Sequence, residues 1–225
     1  MKQITVLLAE DHQIVREGFR LLLKHECGIE VVGEAETGRE AVQLTRKLRP
    51  AVVVMDIAMP LLNGLEATRQ IRRDFPDTKV LILSAHGDDA YVEQVTELGA
   101  AGFLLKQTSA QNLATAIREV QKGNTFFSPA ISKRLGGRDQ KSLARMGQLK
   151  KRSNRLSSRE VEVLQLIAEG KPNKQVAAEL GVSFKTIDKH RQHLMAKLDI
   201  HDTAGLTRYA ISAGIIESSV QLTVL

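Results

Sequence analysis

Residues 52–60 read VVVMDIAMP, and this stretch decides the fold. Residues 52–55 are all apolar and mostly valine, which favours a strand that is buried on both faces. Strands of this kind belong to parallel sheets that have helices packed on either side. The apolar run ends at Asp56. The sequence therefore predicts a carboxylate at the carboxyl end of a central strand.

Four more apolar runs occur between residue 1 and about residue 124, and each alternates with a helical pattern. The runs are Ile4–Ala9, Glu30–Ala35, Val80–Ser84 and Gly102–Leu105. The helical faces are Ile14, Phe19, Leu22 and Leu23 in the first helix, Ala41, Leu44 and Leu48 in the second, Leu65, Thr68, Ile71 and Arg72 in the third, Val92, Val95 and Leu98 in the fourth, and Leu113, Ala116, Ile117 and Val120 in the fifth. Five strand–helix repeats predict an α/β domain with a five-stranded, doubly wound parallel sheet.

The charges divide the chain into three parts, although the total is only +6. Residues 1–124 carry 15 basic and 17 acidic side chains, residues 125–155 carry 9 and 1, and residues 156–225 carry 8 and 8. The strand and helix patterns fail over the middle part, which also contains several glycines. We predict a first domain over 1–124, a basic linker over 125–155 that is either solvated or near phosphates, and a second domain over 156–225.

The second domain shows helical periodicity only. A capping box at residues 157–160 starts its first helix. A short helix over about 174–180, a turn at Gly181 and a longer helix over about 183–198 follow, and a last helix covers about 202–213. A short helix, a tight turn and a second helix predict an all-α helix-turn-helix domain.

Composition narrows the classes of protein further. Cys27 is the only cysteine, so no intramolecular disulfide can form, and the expected location is the reducing cytoplasm. No signal peptide is expected, because Met1 leads into a short apolar run that soon meets Glu10. No segment approaches the roughly 20 apolar residues needed to span a bilayer, so we expect no membrane partner.

Polar side chains stand at the carboxyl ends of four of the predicted strands. Glu10 and Asp11 follow the first strand, Asp56 ends the third, Ser84 ends the fourth and Lys106 follows the fifth. The carboxyl ends of parallel strands meet at one edge of the sheet, which is where ligands bind in such folds. The sequence therefore predicts a cleft that contains three carboxylates, a hydroxyl and an ammonium group.

This set of groups suits phosphoryl chemistry beside a divalent cation. Three close carboxylates repel one another unless a cation neutralises them, and Mg²⁺ is preferred where phosphate is involved. Asp56 is the expected nucleophile and would form an aspartyl-phosphate, while Lys106 and Ser84 would contact phosphoryl oxygens. Each residue alone has an ordinary explanation, such as a solvated loop, a helix cap or a polar strand end. Their joint occurrence at the strand ends carries the prediction.

Residues 1–124 resemble the receiver domain of bacterial response regulators, which has a flavodoxin-like fold. The motifs that carry the resemblance are residues 7–11 (LLAED), 56–60 (DIAMP), 83–85 (LSA) and 99–106 (GAAGFLLK). In such receivers the carboxylate that matches Asp56 takes a phosphoryl group from a histidine kinase. The resemblance therefore implies a histidine kinase as the partner of this domain.

The resemblance also implies roles for the residues around Asp56. The residues implied to hold Mg²⁺ are Glu10, Asp11, Asp56 and, through its backbone carbonyl, Ala58. Ser84 and Phe103 are implied to form a switch, in which the hydroxyl moves toward the phosphoryl group and the ring turns inward. Gln107 departs from the family, which often has a cis proline after the lysine. A cis bond before a non-proline residue costs about 3 kcal/mol, so the family's cis geometry is not assumed after Lys106 and the conformation of this loop stays open.

The helix that follows the turn at Gly181 has a polar stripe opposite an apolar one. The apolar stripe, expected to face the core, comprises Phe184, Ile187, Leu194 and Leu198. The second helix of a helix-turn-helix enters the major groove of DNA. Candidates for base contacts are Asp188, Lys189 and Gln192, and candidates for phosphate contacts are Lys171, Lys174, Ser183, Lys185, Thr186 and Arg191. Asp188 could equally repel phosphate or pair with a neighbouring lysine, and any single surface lysine is more often merely solvated.

Residues 156–216 resemble the LuxR-type helix-turn-helix domain. The motifs are residues 156–164 (LSSREVEVL), 167–170 (IAEG), 173–177 (NKQVA), 180–183 (LGVS) and 185–187 (KTI), followed by His190. Together the two resemblances identify the chain as a member of the NarL/FixJ type of response regulator. They imply a transcriptional regulator rather than an enzyme, with double-stranded DNA as its ligand. A homodimer on paired half-sites is expected after phosphorylation, because one helix reads few base pairs and two half-sites give useful affinity. RNA polymerase is a further candidate partner.

Three other functions stay open from the sequence. A phosphatase or phosphotransferase built on Asp56 would need a second acid two positions on, where this chain has Ala58, and a substrate-binding cap. A receiver joined to a protein-binding output domain is disfavoured by the polar stripe on the second helix. A quorum-sensing regulator shares the LuxR-type motif, but its first domain should lack the acidic cleft.

Overall fold

The computed structural model describes residues 3–85, 89–108, 110–128, 131 and 156–216. The chain divides into two compact units, residues 1–152 and 153–225. Most of the predicted basic linker lies outside the described residues. Each unit is considered by itself below.

The first unit alternates strands and helices, as the sequence predicts. Its strands are β1 (Ile4–Ala9), β2 (Ile29–Ala35), β3 (Val52–Asp56), β4 (Lys79–Ser84), β5 (Gly102–Leu105) and β6 (Phe126–Phe127). Its helices are α1 (Gln13–Lys24), α2 (Gly38–Leu48), α3 (Gly64–Asp74), α4 (Asp89–Glu97) and α5 (Ala110–Gln121). All strands pair in parallel, in the order β2-β1-β3-β4-β5-β6. The α/β class and the parallel sheet are confirmed.

The sheet has six strands rather than the five that the sequence predicts, because β6 adds to its β5 edge. The backbone N–H of Phe126 donates to the carbonyl of Ala101 at 3.1 Å, and the N–H of Ser128 donates to the carbonyl of Phe103 at 3.0 Å. This pairing needs a glycine opposite, since a Cβ on Gly102 would lie 2.4 Å from the carbonyl oxygen of Phe126. A strand of two residues is too short to show a period in the sequence.

Two apolar clusters lie on the two faces of the sheet. One includes Leu7, Val53 and Phe103, packed with residues of α2, α3 and α4. The other includes Leu8 and Val54, packed with residues of α1 and α5. Alternate residues of β1 and β3 therefore face opposite layers, as expected for strands that are buried on both sides.

The apolar face predicted for α1 is partly wrong. Phe19 and Leu23 are buried, but Ile14 is 85% exposed and Leu22 is 41% exposed. The residues that pack on the sheet are Val15, Phe19 and Leu23, which recur every four positions. Ile14 and Leu22 each precede one of these residues and are therefore rotated away from the sheet.

The second unit is all helical. Its helices are α6 (Ser158–Ala168), α7 (Asn173–Glu179), α8 (Phe184–Leu198) and α9 (Thr203–Ser212). The capping box that begins α6 is complete: the Ser157 hydroxyl accepts from the backbone N–H of Glu160, whose carboxylate accepts from the backbone N–H of Ser157. Ile187 and Leu194 of α8 are buried as predicted. The prediction for Phe184 is wrong, because this residue lies in the first turn of α8 and is 57% exposed.

Among the helices of the described residues, none is both long and apolar enough to cross a membrane.

Candidate functional site

The parallel sheet brings the polar strand ends of the first unit to one edge. Glu10 and Asp11 follow β1, Asp56 is the last residue of β3, Ser84 is the last residue of β4, and Lys106 follows β5. Strand β3 lies between β1 and β4, so Asp56 occupies the middle of this edge. The sheet therefore brings these residues to one edge, where the sequence places them.

Lys106 joins two carboxylates of this cleft. Its Nζ lies 2.8 Å from Oε2 of Glu10 and 3.0 Å from Oδ2 of Asp56. Both carboxylates are buried, which strengthens their interaction with the ammonium group. The backbone N–H of Lys106 also donates to the carbonyl of Ser84 at 2.8 Å. The lysine is thus held at the strand ends through both its backbone and its side chain.

The cleft has a deficit of positive charge. Burial, and then repulsion by Glu10, raise the pKa of Asp56 to about 6 from 3.8, although Lys106 acts in the opposite direction. Burial alone would lower the pKa of Lys106, but attraction by Asp56 and Glu10 outweighs it and raises that pKa above its usual range. One ammonium group does not compensate the carboxylates that surround it.

The donor set of the cleft fits a divalent cation with oxygen ligands. Glu10, Asp11 and Asp56, together with His12, each offer a ligand atom, and these atoms lie within 4.8 Å of one another. A divalent ion would supply the positive charge that Lys106 alone does not. Ala58 lies two residues after Asp56, in the loop that leads from β3 to α3.

Local backbone structure fixes the position of Asp56. Its Oδ1 accepts a hydrogen bond from the backbone N–H of Ile57 at 2.8 Å. The start of α3 packs directly behind it, since a Cβ on Gly64 would lie 1.8 Å from the backbone carbonyl oxygen of Asp56. Only a glycine permits this approach, and the nucleophile predicted from the sequence therefore has a rigid support.

Two further residues contact the site without having been predicted. Arg16 is buried, donates to the backbone carbonyl of Glu10 at 2.7 Å, and also pairs with Glu34 and Glu36 at the end of β2. The Nδ1 of His12 lies 2.8 Å from Oδ1 of Asp11. The sequence gives no local signal for Arg16, whereas His12 stands directly after an acidic pair.

The predicted switch residues lie on adjacent strands. Ser84 is buried at the end of β4, and Phe103 of β5 is completely buried in the cluster that contains Met55. The ring of Phe103 therefore occupies the inward position. The bond between Lys106 and Gln107 is trans.

The second unit presents a polar surface on α8. Lys185, Lys189 and Gln192 are exposed, as is Lys174 on α7. Asp188 accepts a hydrogen bond from the amide of Gln192 at 3.1 Å. Asp188, a predicted acceptor of base contacts, and Gln192, a predicted donor, are therefore hydrogen-bonded to each other on the surface of α8.

Other DNA candidates also have roles within the domain. The hydroxyl of Ser183 caps α8 by accepting from the backbone N–H of Thr186, and the two hydroxyl oxygens lie 2.8 Å apart. Arg191 donates to Asn173 at the start of α7 and to Thr203 at the start of α9. Arg191 therefore holds α8 against both α7 and α9, a role that its place in the polar stripe does not reveal.

Comparison with known families matches both units. The response regulator receiver domain matches residues 6–118. The LuxR family of bacterial regulatory proteins matches residues 154–210. The two matches fall on the acidic cleft and on the helix-turn-helix, respectively.

Individual relatives match nearly the whole chain. The transcriptional regulatory protein LiaR of Bacillus subtilis is 39% identical over 92% of this chain and 96% of the relative. A structure of the Salmonella typhimurium RcsB response regulator is 30% identical, with a TM-score of 0.59 over 95% of this chain and 99% of that one. A structure of two RcsB dimers bound to two parallel DNAs is 30% identical, with a TM-score of 0.56 over 94% of this chain and 99% of that one. The chain therefore belongs to the two-component response regulators that join a receiver domain to a LuxR-type DNA-binding domain, the NarL/FixJ type that its sequence predicts.

Proposed function

We propose that Asp56 accepts a phosphoryl group from a histidine kinase in the cytoplasm, and that this modification controls the binding of the second domain to promoter DNA. The observation that carries the proposal is the contact of one ammonium group, Lys106, with the buried carboxylates of Glu10 and Asp56. These residues come from three separate parts of the chain. Their convergence gives a nucleophile and a group that neutralises phosphoryl oxygens in one cleft.

The proposed transfer is a displacement at phosphorus. A carboxylate oxygen of Asp56 forms the new P–O bond, the P–N bond to the kinase histidine breaks, and the departing imidazole takes up a proton. Lys106 lies 3.0 Å from Asp56 Oδ2 and is placed to pair with a phosphoryl oxygen. Ser84, at the end of the next strand, is placed to donate its hydroxyl to another.

A magnesium ion bound in the cleft would neutralise the carboxylates and the incoming phosphoryl oxygens. The residues proposed to hold it are Glu10, Asp11, Asp56 and the backbone carbonyl of Ala58. Burial and repulsion by Glu10 together raise the pKa of Asp56, and a bound cation would offset both, which supports this proposal. Arg16 supports it structurally, because it holds the backbone of Glu10 in place.

The proposed switch couples Ser84 and Phe103. The Ser84 hydroxyl moves toward the phosphoryl group, and the inward position of Phe103 is favoured behind it. Phosphorylation can act only by favouring one of two states in which these side chains make different contacts. Phe103 already occupies the inward position that we assign to the phosphorylated state.

We propose that α8 enters the major groove. Lys189 and Gln192, with Asp188, are the proposed base contacts. The proposed phosphate contacts are Lys174, Ser183, Lys185, Thr186 and Arg191. Two protomers would occupy paired half-sites, and RNA polymerase is a further proposed partner. RcsB, a similar protein, has been solved as dimers bound to DNA, which supports this arrangement.

Phosphorylation of Asp56 is tested by the mass of the intact protein. Incubation with acetyl phosphate and Mg²⁺ should add one phosphoryl group to the wild type and none to Asp56→Asn. Asp77→Asn, which changes an exposed carboxylate outside the cleft, is the matched control and should gain the group. A persistent mass gain on Asp56→Asn would refute the assignment of the acceptor.

DNA binding is tested by a gel shift with a library of random duplexes, with and without the phosphodonor. Selected duplexes should share paired half-sites, and the dependence of affinity on salt gives the number of phosphate contacts. A chain that selects no duplex under either condition would contradict the proposed role of α8.

A further inference from the structure

His12 faces the acidic cleft, although the proposed phosphoryl transfer does not require it. It follows Asp11 directly and occupies the N-cap of α1, but its side chain makes no capping hydrogen bond. The ring turns back to the end of β1, where Nδ1 lies 2.8 Å from Oδ1 of Asp11 and 3.1 Å from Oε1 of Glu10. The side chain is 67% exposed, so attraction rather than lack of space holds the ring there.

The ligand atoms of this group are spaced closely enough for a single ion. One atom each from Glu10, Asp11, His12 and Asp56 fits within a separation of 4.8 Å. An octahedral ion with bonds of about 2.1 Å holds its ligands about 3 to 4.2 Å apart. Small side-chain movements would therefore bring all four atoms to bonding distance of one cation.

The imidazole changes which cation such a site prefers. Carboxylate oxygens bind Mg²⁺ and Mn²⁺ alike, whereas imidazole is a good ligand for first-row transition ions and a poor one for Mg²⁺. A site with carboxylates alone has no nitrogen donor with which to distinguish the two ions. The added nitrogen strengthens binding of the transition ion and leaves that of Mg²⁺ nearly unchanged.

We infer that His12 is a fourth side-chain ligand of the cleft and that it makes the site select a first-row transition ion, of which Mn²⁺ is the probe, over Mg²⁺. The inference rests on the proposed cation site of Glu10, Asp11 and Asp56. It adds a residue that determines the metal specificity of that site.

The test uses the full chain at about pH 8, where protons compete less with metal ions for an imidazole than they do at neutral pH. Electron paramagnetic resonance measures Mn²⁺ binding and detects coupling of the ion to the imidazole nitrogen, and competition with Mg²⁺ gives the affinity for that ion. The variants are His12→Gln and, as the matched control, His25→Gln, which changes an exposed histidine at the other end of α1.

We expect nitrogen coupling in the wild type and in His25→Gln, and its loss in His12→Gln. The Mn²⁺ affinity of His12→Gln should fall about tenfold, whereas its Mg²⁺ affinity should change by less than about twofold. Absence of nitrogen coupling in the wild type, or an equal loss of both affinities in His12→Gln, would overturn the inference. The exposed position of His12 means that the variant should unfold at the same urea concentration as the wild type, which checks its fold.

The same titrations separate the two proposals. If the wild type binds neither ion more tightly than Asp56→Asn does, the proposed cation site itself is wrong, and the inference about His12 fails with it. If both ions bind and require Asp56 but no nitrogen coupling is seen, only the role of His12 is wrong.

Discussion

At the scale of single residues, the charge on Asp56 opposes folding when no cation is bound. Its pKa is raised to about 6 from 3.8 by burial and by Glu10. The native state therefore binds the proton more tightly than the unfolded chain does between these values. The ionised carboxylate lowers stability above about pH 6, and this loss disappears as the pH falls toward 4.

Asp56→Asn should consequently be more stable than the wild type at about pH 7 in EDTA, by at most about 3 kcal/mol. The difference should close as the pH falls through 6 toward 4, where the wild-type carboxylate is protonated. Urea unfolding at about pH 7 and at about pH 4 measures this difference in the free energy of unfolding. Asp77→Asn should show no comparable gain, and an Asp56→Asn variant that is less stable at neutral pH would contradict the account.

Arg191 and Lys189 lie two positions apart on α8 but should respond differently to replacement by alanine. Arg191→Ala should lower the stability of the second domain by about 1–2 kcal/mol, because it removes hydrogen bonds to Asn173 and Thr203, and should weaken DNA binding as well. Lys189→Ala should weaken DNA binding at unchanged stability, since Lys189 is exposed. Thermal unfolding and a gel shift distinguish them. Equal stability of the two variants would refute the positioning role of Arg191.

The sequence predicts the residues of the cleft better than the residues that support it. Asp56 and Lys106 are recognisable because each stands where an apolar run ends. Arg16 is not, because its partners at the end of β2 lie 18 and 20 residues away. Spacing alone predicts that Ile14 is in the core, and only the orientation of α1 on the sheet shows that Val15 takes that place instead.

At the scale of elements, β6 shows where a domain boundary drawn from the sequence cuts into the sheet. The predicted first domain ends at residue 124, before Phe126 and Phe127 pair with β5. Ile131 is also buried in the same cluster as Phe103. A boundary drawn where the helical pattern ends therefore omits part of the hydrophobic core.

A receiver fragment that ends at residue 124 should be less stable than one that ends at residue 135. Burial of Ile131 alone contributes roughly 1.5–3 kcal/mol, and the hydrogen bonds of β6 add to this. Urea unfolding of the two fragments measures the difference. Equal midpoints would show that β6 and Ile131 contribute nothing to the stability of the sheet.

The capping box of α6 gives a second prediction for an element. Ser157→Ala should lower the stability of the second domain by about 1 kcal/mol, because the backbone N–H of Glu160 loses its acceptor. Ser158→Ala, one residue inside the helix, is the control and should have little effect. Thermal unfolding measures both, and a larger loss for Ser158→Ala would contradict the assignment of the cap.

The sequence predicts the five apolar strands of the sheet but not the two-residue strand β6. The bounds of β1, β3 and β5 are those that the sequence predicts, while β2 and β4 each begin one residue earlier. Continuous valine, isoleucine and leucine runs are unambiguous when both faces are buried. Strand β6 forms instead because Gly102 of β5 leaves room for its backbone, and no local pattern around Phe126 reveals this pairing.

At the scale of the whole molecule, the two domains should contribute separately to regulation. Acetyl phosphate should tighten binding of the wild type to a selected duplex and leave Asp56→Asn unchanged. Lys185→Ala should still respond to the phosphodonor, but its affinity should fall less steeply with salt, with a log–log slope smaller by about 0.9, because one phosphate contact is lost. Gel shifts over a range of salt concentrations measure this. A Lys185→Ala variant that no longer responds would contradict the separation.

The hydrogen bonds of β6 have a mechanical consequence for the way the receiver is joined to the rest of the chain. The carbonyls of Ala101 and Phe103 each accept a hydrogen bond from the segment that leaves the sheet. A backbone displacement of β5 must therefore either carry the root of the connecting segment with it or break these bonds. The segment that follows α5 is thus hydrogen-bonded to the strand that carries Phe103. A rearrangement at Phe103 that moves the backbone of β5 can therefore displace this segment through backbone hydrogen bonds alone.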